Sequence, residues 1–129
     1  MLSHGASHLP PPTPVDIVAA LADVGAFWRD WTKTCTYRGE WQGPVMRSLL
    51  TLKACVHDPT GGIIAAPTTS LPERLGGERN WDYRYCWLRD ASLTLTTLMR
   101  AGFTREAHDW TEWLRRCLGG TMAQIQPLY

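Results

Sequence analysis

Apolar residues recur along the first third of the chain at helical steps. After Thr13-Pro14-Val15-Asp16 they fall at Val18, Leu21, Val24, Trp28 and Trp31, three or four residues apart, the period of one face of an α-helix. Thr13 suits the cap, Pro14 the first helical position and Asp16 the first turn, where a carboxylate meets the positive end of the helix dipole. The pattern predicts a helix ending near Lys33, with Trp28 and Trp31 as its core residues. Asp16, Asp23 and Asp30 lie on another face and read as a solvated edge, not a catalytic array. "YRGEWQGP" is then a connection. Gly43-Pro44 restarts a helix with Val45, Leu49, Leu52 and Val56 on one face. It is expected to stop at His57-Asp58-Pro59, because the residue before proline resists helical dihedrals.

The pattern then changes. "DPTGG" is turn chemistry, and "IIAAPTTSLPERLGGERN" mixes β-branched residues with prolines and glycines. It reads as a long irregular or part-extended loop, and loops of that length in compact domains are commonly functional. A third helix is predicted from Leu88 to Ala101, with Leu93, Leu95, Leu98 and Met99 apolar and Gly102 closing it. Thr104 caps a fourth, with Glu106 in its first turn. Ala107, Trp110, Trp113, Leu114 and Cys117 carry its apolar face up to Gly119-Gly120. The expected plan is all-α, two αα-hairpins joined by a long, partly extended loop. A closed four-helix bundle and two hairpins of a larger array both fit. The seven tryptophans favour the wider arrangement, since each ring needs much area to cover. Residues 1–12, with their "PPP" run, read as a flexible tail, and residues 13–129 as the helical domain.

Composition narrows the function classes. A chain of 129 residues with 44% apolar content holds one domain with a real core. Thirteen basic and 12 acidic residues leave a net charge of +1, too little to attract nucleic acid or an anionic membrane. No apolar run approaches the roughly 18 residues of a membrane span, and the N-terminus lacks the basic start and apolar stretch of a secretory signal. Cys35, Cys55, Cys86 and Cys117 have no metal-ligand spacing and are expected as reduced, buried thiols, which points to the cytoplasm. His4 and His8 stand in the Pro-rich tail with nothing to complete a metal site. No metal and no cofactor are expected.

The chemistry concentrates in "NWDYRYCWLRDA", Asn80 to Ala91. Trp81, Tyr83, Tyr85 and Trp87 alternate with Asp82, Arg84 and Cys86, as in a strand with its rings on one side. The plain reading is an extended segment covering a core, with Arg89 and Asp90 pairing at a helix start. The functional reading starts from what a sugar presents: C–H faces that flat rings cover, and hydroxyl edges that charged groups grip. Arg donates through a rigid fork and a carboxylate only accepts, so an adjacent Arg89-Asp90 pair serves neighbouring hydroxyls through charge-assisted hydrogen bonds. Asp82 is placed to orient Arg84 or Arg89. His108-Asp109 has no serine partner on a strand–turn–helix elbow, and the paired glycines are turn residues, not a phosphate cradle.

In sequence order, "FWRDWTKTCTYRGEW", "RSLLTLKA", "PTGGIIAAPTTSLPE", "GGERNWDYRYCWLRDA" and "GFTREA" resemble the bacterial branch of glycoside hydrolase family 15, which holds glucoamylases, glucodextranases and a group of trehalases. The resemblance covers roughly residues 20 to 118. It implies part of an (α/α)6 toroid of paired helices. It implies inverting hydrolysis of an α-glucosidic bond, in which one glutamic acid protonates the leaving oxygen and a second glutamate activates water. It also implies that Tyr83 and Trp87 shape the subsite for a glucose of an oligosaccharide or disaccharide, and that Arg89 and Asp90 hydrogen-bond its hydroxyls.

The same resemblance implies that the catalytic glutamates follow the matched region. Glu40, Glu73, Glu78, Glu106 and Glu112 occupy no catalytic position of the family. Glu73 and Glu78 lie on the "PTTSLPERLGGE" loop, where they could rim the site, but surface or loop-anchoring roles are the expected ones. The expectation is therefore a hydrolase fragment with subsite residues and without its acid–base pair, partnered by the remainder of the toroid or by itself. A non-catalytic sugar-binding or regulatory module and a structural helical bundle remain as alternatives.

Overall fold

The computed structural model describes residues 15–68, 72, 74–118, 126 and 129. They include α1 (Ile17–Lys33), α2 (Gln42–Ala54), α3 (Leu88–Arg100) and α4 (Arg105–Cys117), so the all-α plan holds. The chain divides into two units, one ending at Lys33 and one beginning at Thr34. The expected Pro-rich tail, Thr13 and Pro14 lie outside the described residues.

Asp16 is the cap of α1. Its Oδ1 accepts from the N–H groups of Val18 and Ala19 at 3.0 and 3.1 Å, satisfying two donors that a helix start leaves orphaned. It thus stands just ahead of the helix, not within its first turn. The helix ends at Lys33 as predicted, with Lys33 Nζ 2.6 Å from Asp30 Oδ1. The core expected at Trp28 and Trp31 does not form: the two rings meet edge to face at 6.2 Å, but no residue of α1 is buried. An apolar stripe is buried only against a second element.

In the second unit, α2 ends at Ala54, earlier than its apolar spacing suggests. Cys55 and Val56 tighten the last turn through bonds to the Leu52 and Lys53 carbonyls. Val56 leaves the helix altogether and forms an isolated antiparallel bridge with Ile63. A β-branched side chain fits that extended position at low cost. The His57 N–H closes the intervening turn on the Gly62 carbonyl at 2.8 Å.

Helix α3 packs against both α2 and α4. Its buried stripe is Ala91, Leu95 and Leu98, steps of four and three. Of the apolar residues on this helix, Leu93 is 65% exposed and Met99 is exposed too. At 100° per residue, Leu93 sits about 200° from its neighbours on the stripe, on the opposite side. Gly102 ends the helix in a left-handed conformation, φ +96°. Its N–H bonds the Met99 carbonyl and the Phe103 N–H bonds that of Leu98, both at 3.0 Å. This reciprocal pair satisfies carbonyls at the helix end and turns the chain directly into α4, making the second predicted hairpin.

Thr104 holds the cap position of α4 without a side-chain cap bond. Glu106 stands in the first turn as expected, and its side chain is buried there. It lies 3.1 Å from the buried Nζ of Lys53 on α2. Trp110, Trp113 and Ala107 face the second unit's core as predicted, packing with Val56 and Tyr129 against Ile63, Cys86, Ala91 and Leu95. Cys117, expected on the same face, is exposed. Predicted helix-ending Gly119-Gly120 lies outside the described residues. No helix among the described residues is long and apolar enough to cross a membrane.

Candidate functional site

Asn80 to Ala91 joins the long loop to α3. The alternation of rings does not produce a strand. Asp82 folds its own segment into a turn, because its Oδ1 accepts the Arg84 N–H at 3.0 Å; short carboxylates favour this local bond. The turn is tied on two sides. The N–H groups of Ala65 and Ala66 bond the carbonyls of Tyr85 and Tyr83 at 3.1 and 2.8 Å, so the start of the loop is part-extended as predicted. Cys86 exchanges both main-chain bonds with Tyr129, at 2.8 and 2.9 Å, and its side chain enters the core.

The turn gathers rings around Trp87. Trp81 meets it edge to face at 6.2 Å, and Tyr83 lies tilted against it at 6.1 Å. These are favourable aromatic geometries. The Trp87 indole N–H donates to the Asp82 carbonyl at 3.0 Å, so the ring enters its half-buried position with its polar atom satisfied. Trp81, Tyr83, Trp87 and Arg89 line a cleft of about 350 Å³.

Arg89 and Asp90 stand on the first turn of α3. Arg89 donates from Nε and Nη2 to Asp90 Oδ2 at 3.1 and 2.9 Å. The Arg89 side chain is 69% exposed. An exposed pair of this kind contributes little to stability, about 0–1 kcal/mol. What it does supply at the cleft is a fork of further N–H donors held in place by a carboxylate. Asp90 joins the site through Arg89 and does not itself line the cleft among the described residues.

Asp82 orients Arg84, not Arg89. The Arg84 guanidinium donates to both carboxylate oxygens, with Nη2 2.8 Å from Oδ2 and Nε 3.1 Å from Oδ1. Those bonds hold the Asp82 carboxyl below its ordinary range, and Asp82 in turn raises Arg84. Glu78 lies elsewhere, in a second cleft of about 310 Å³ shared with Arg74, Gly77 and Arg79. Glu73 is outside the described residues. Glu112 is 3.4 Å from Arg115. His108 and Asp109 form an exposed contact of 3.4 Å. Among the described residues no cluster of three or more His, Cys, Asp or Glu could hold a metal ion.

Of the sequence-selected residues, Tyr83, Trp87 and Arg89 therefore share one cleft, with Asp90 behind Arg89. Trp81 completes the wall and was missed as a site residue, although the ring alternation includes it. The buried Lys53–Glu106 pair was missed too. Its signal was a lysine four residues after Leu49 on the apolar side of α2.

The family model for Glycosyl hydrolases family 15 matches residues 41–129. A trehalase of Thermoplasma acidophilum is 46% identical over 104 residues, 81% of this chain and 18% of the relative. A trehalase of Mycolicibacterium smegmatis is 43% identical over 102 residues, 78% of this chain and 15% of the relative. A trehalase of Mycobacterium tuberculosis is 38% identical over 122 residues, 94% of this chain and 18% of the relative. The chain thus spans less than a fifth of the length of these relatives. No solved structure matches it.

Proposed function

Because this chain belongs to glycosyl hydrolases family 15, we propose that residues 80–91 form the glucose-binding wall of an enzyme that hydrolyses an α-glucosidic bond, with trehalose as its substrate. The observation that carries this reading is the cleft of Trp81, Tyr83, Trp87 and Arg89, with Arg89 braced by Asp90. The rings offer apolar faces to the C–H surface of a glucose ring, and the guanidinium offers donors to its hydroxyls. The names of the three relatives favour trehalose over longer α-glucans.

On this reading residues 13–129 are the opening part of an (α/α)6 catalytic domain. The chain contributes binding and not the acid–base pair. Glu106 is committed to Lys53, Glu112 stands exposed beside Arg115, Glu40 is exposed, and Glu78 lines a different cleft. The reaction needs one carboxylic acid at the leaving oxygen and one carboxylate poised on water, and a glutamate locked into a buried ion pair serves neither role.

Titration of the chain with trehalose, followed by tryptophan fluorescence, tests the reading. Saturable quenching is expected, with no glucose released. Arg89→Ala removes charge-assisted bonds and should weaken binding by about 10- to 100-fold. Glucose release by the chain alone would overturn the division of labour. Equal binding by Arg89→Ala would overturn the site.

A further inference from the structure

Asp82 does not line the sugar cleft, yet the geometry of the cleft converges on it. It stands between Trp81 and Tyr83, the two rings that flank Trp87. Its Oδ1 accepts the Arg84 N–H at 3.0 Å. Both its oxygens hold the Arg84 guanidinium, with the closest approach 2.8 Å. Its carbonyl accepts the Trp87 indole N–H at 3.0 Å. One residue thus makes a side-chain bond that shapes the turn, a side-chain fork that fastens it, and a main-chain bond that fixes the central ring.

We propose that Asp82 is a positioning residue of the cleft: its carboxylate sets the turn that brings Trp81 and Tyr83 against Trp87, and its carbonyl sets the plane of the Trp87 indole. This rests on the glucose-binding reading of the same site. The physical reason is rotational freedom. A tryptophan has two side-chain torsions, and a ring that lies only half-buried is not held by packing alone. A bond to its one polar atom, from a carbonyl fixed in a turn, holds the second torsion. Small misplacements of positioning groups cost large factors in recognition, so the effect should exceed what an ordinary surface ion pair contributes.

Three variants of the full chain separate the bonds. Asp82→Ala removes the turn acceptor and the fork. Asp82→Asn keeps an oxygen for the Arg84 N–H and loses only the charged fork. Arg84→Ala removes the fork from the other side and keeps the turn. Two readouts are taken: trehalose affinity by tryptophan fluorescence, and the near-ultraviolet circular dichroism that reports the fixed orientation of the Trp81–Trp87 pair. Asp82→Ala should lose about tenfold in affinity, with its near-ultraviolet signal diminished and its helical far-ultraviolet signal unchanged. Asp82→Asn and Arg84→Ala should stay within about threefold of the parent chain and keep the near-ultraviolet signal. That rescue by asparagine is what a merely electrostatic role would not give.

Parent-like affinity and dichroism in Asp82→Ala would overturn the proposal. So would an asparagine variant as impaired as the alanine one. If the parent chain binds no trehalose, the glucose-binding reading falls. The positioning of the rings is then still decided by the dichroism of the alanine and asparagine variants. If Asp82→Ala fails to fold, the asparagine and Arg84→Ala pair decides: loss of the near-ultraviolet signal in both would reject the turn bond as the organising one.

Discussion

Lys53 and Glu106 form the most consequential pair of charges away from the cleft. Both side chains are under a tenth exposed, and their atoms approach to 3.1 Å. Asp58 adds a longer, exposed contact to Lys53 at 3.7 Å. Removing one partner of a buried pair strands the other charge, at about 3–5 kcal/mol, whereas replacing both with apolar groups of like volume is often neutral. Glu106→Ala should therefore lower unfolding stability by about 3–5 kcal/mol in urea titrations, and the double variant Lys53→Met, Glu106→Leu should recover most of it. A second residue-scale effect belongs to Cys86, buried in the core, where burial pushes its thiol above the ordinary value of 9.0. Below that value the thiol is neutral in both states and costs nothing. Above it the unfolded chain releases a proton that the folded chain keeps, so stability falls as pH rises. Between about pH 8 and pH 10 the melting temperature of the parent chain under reducing conditions should fall more steeply than that of Cys86→Ala. Identical slopes would mean the thiol makes no contribution.

The turn between α3 and α4 shows what a sequence pattern resolves at the level of an element. Gly102 was legible as the helix stop because only the left-handed conformation lets the chain reverse there, and glycine adopts it without penalty. A Cβ on Gly102 would also stand 2.7 Å from Thr36 Cγ2 and 3.0 Å from the Thr34 carbonyl. Gly76 has a similar φ of +75° and no atom within 4 Å of such a Cβ. Gly76→Ala should cost only the backbone penalty, about 1–2 kcal/mol, and Gly102→Ala distinctly more than about 2 kcal/mol; equal losses in denaturant titration would remove the packing contribution. The period-two rings of residues 81–87 suggest an extended segment, and local chemistry bends it. Alternation reports which side chains share a face, but Asp82 competes for the local N–H of Arg84 and bends the segment before a ladder can form. Val56 escaped its helix because the apolar period continues past Ala54, while the bridge to Ile63 offers a better place for a β-branched residue. Leu93 and Met99 are apolar yet exposed, because the buried stripe is set by helical angle as well as hydrophobicity, and that angle puts Leu93 on the outer side.

At the scale of the molecule, the two units differ in how much they bury, and this decides how uniform its stability is. The cleft residues Tyr83, Trp87 and Arg89 were legible because rings and charge crowd a short segment. The bonds that place them run to Ala65, Ala66 and Tyr129, partners that no local pattern reveals. All of these lie in the unit that begins at Thr34. There Leu49, Ile63 and Leu98 are essentially inaccessible, each contributing about 1.5–3 kcal/mol of burial. In the other unit α1 has a capped start and 17 helical residues but no buried one, with Val18 79% and Leu21 72% exposed. A helix of that length is only marginally stable without packing. Local opening energies follow burial, so native-state hydrogen exchange should separate the units. The amides of Leu95 and Leu98 on α3 should exchange only with global unfolding and share its denaturant dependence. Those of Leu21 and Val24 on α1 should exchange orders of magnitude faster, with little denaturant dependence. Equal protection in α1 and α3 would show that the apolar stripe of α1 is covered in solution.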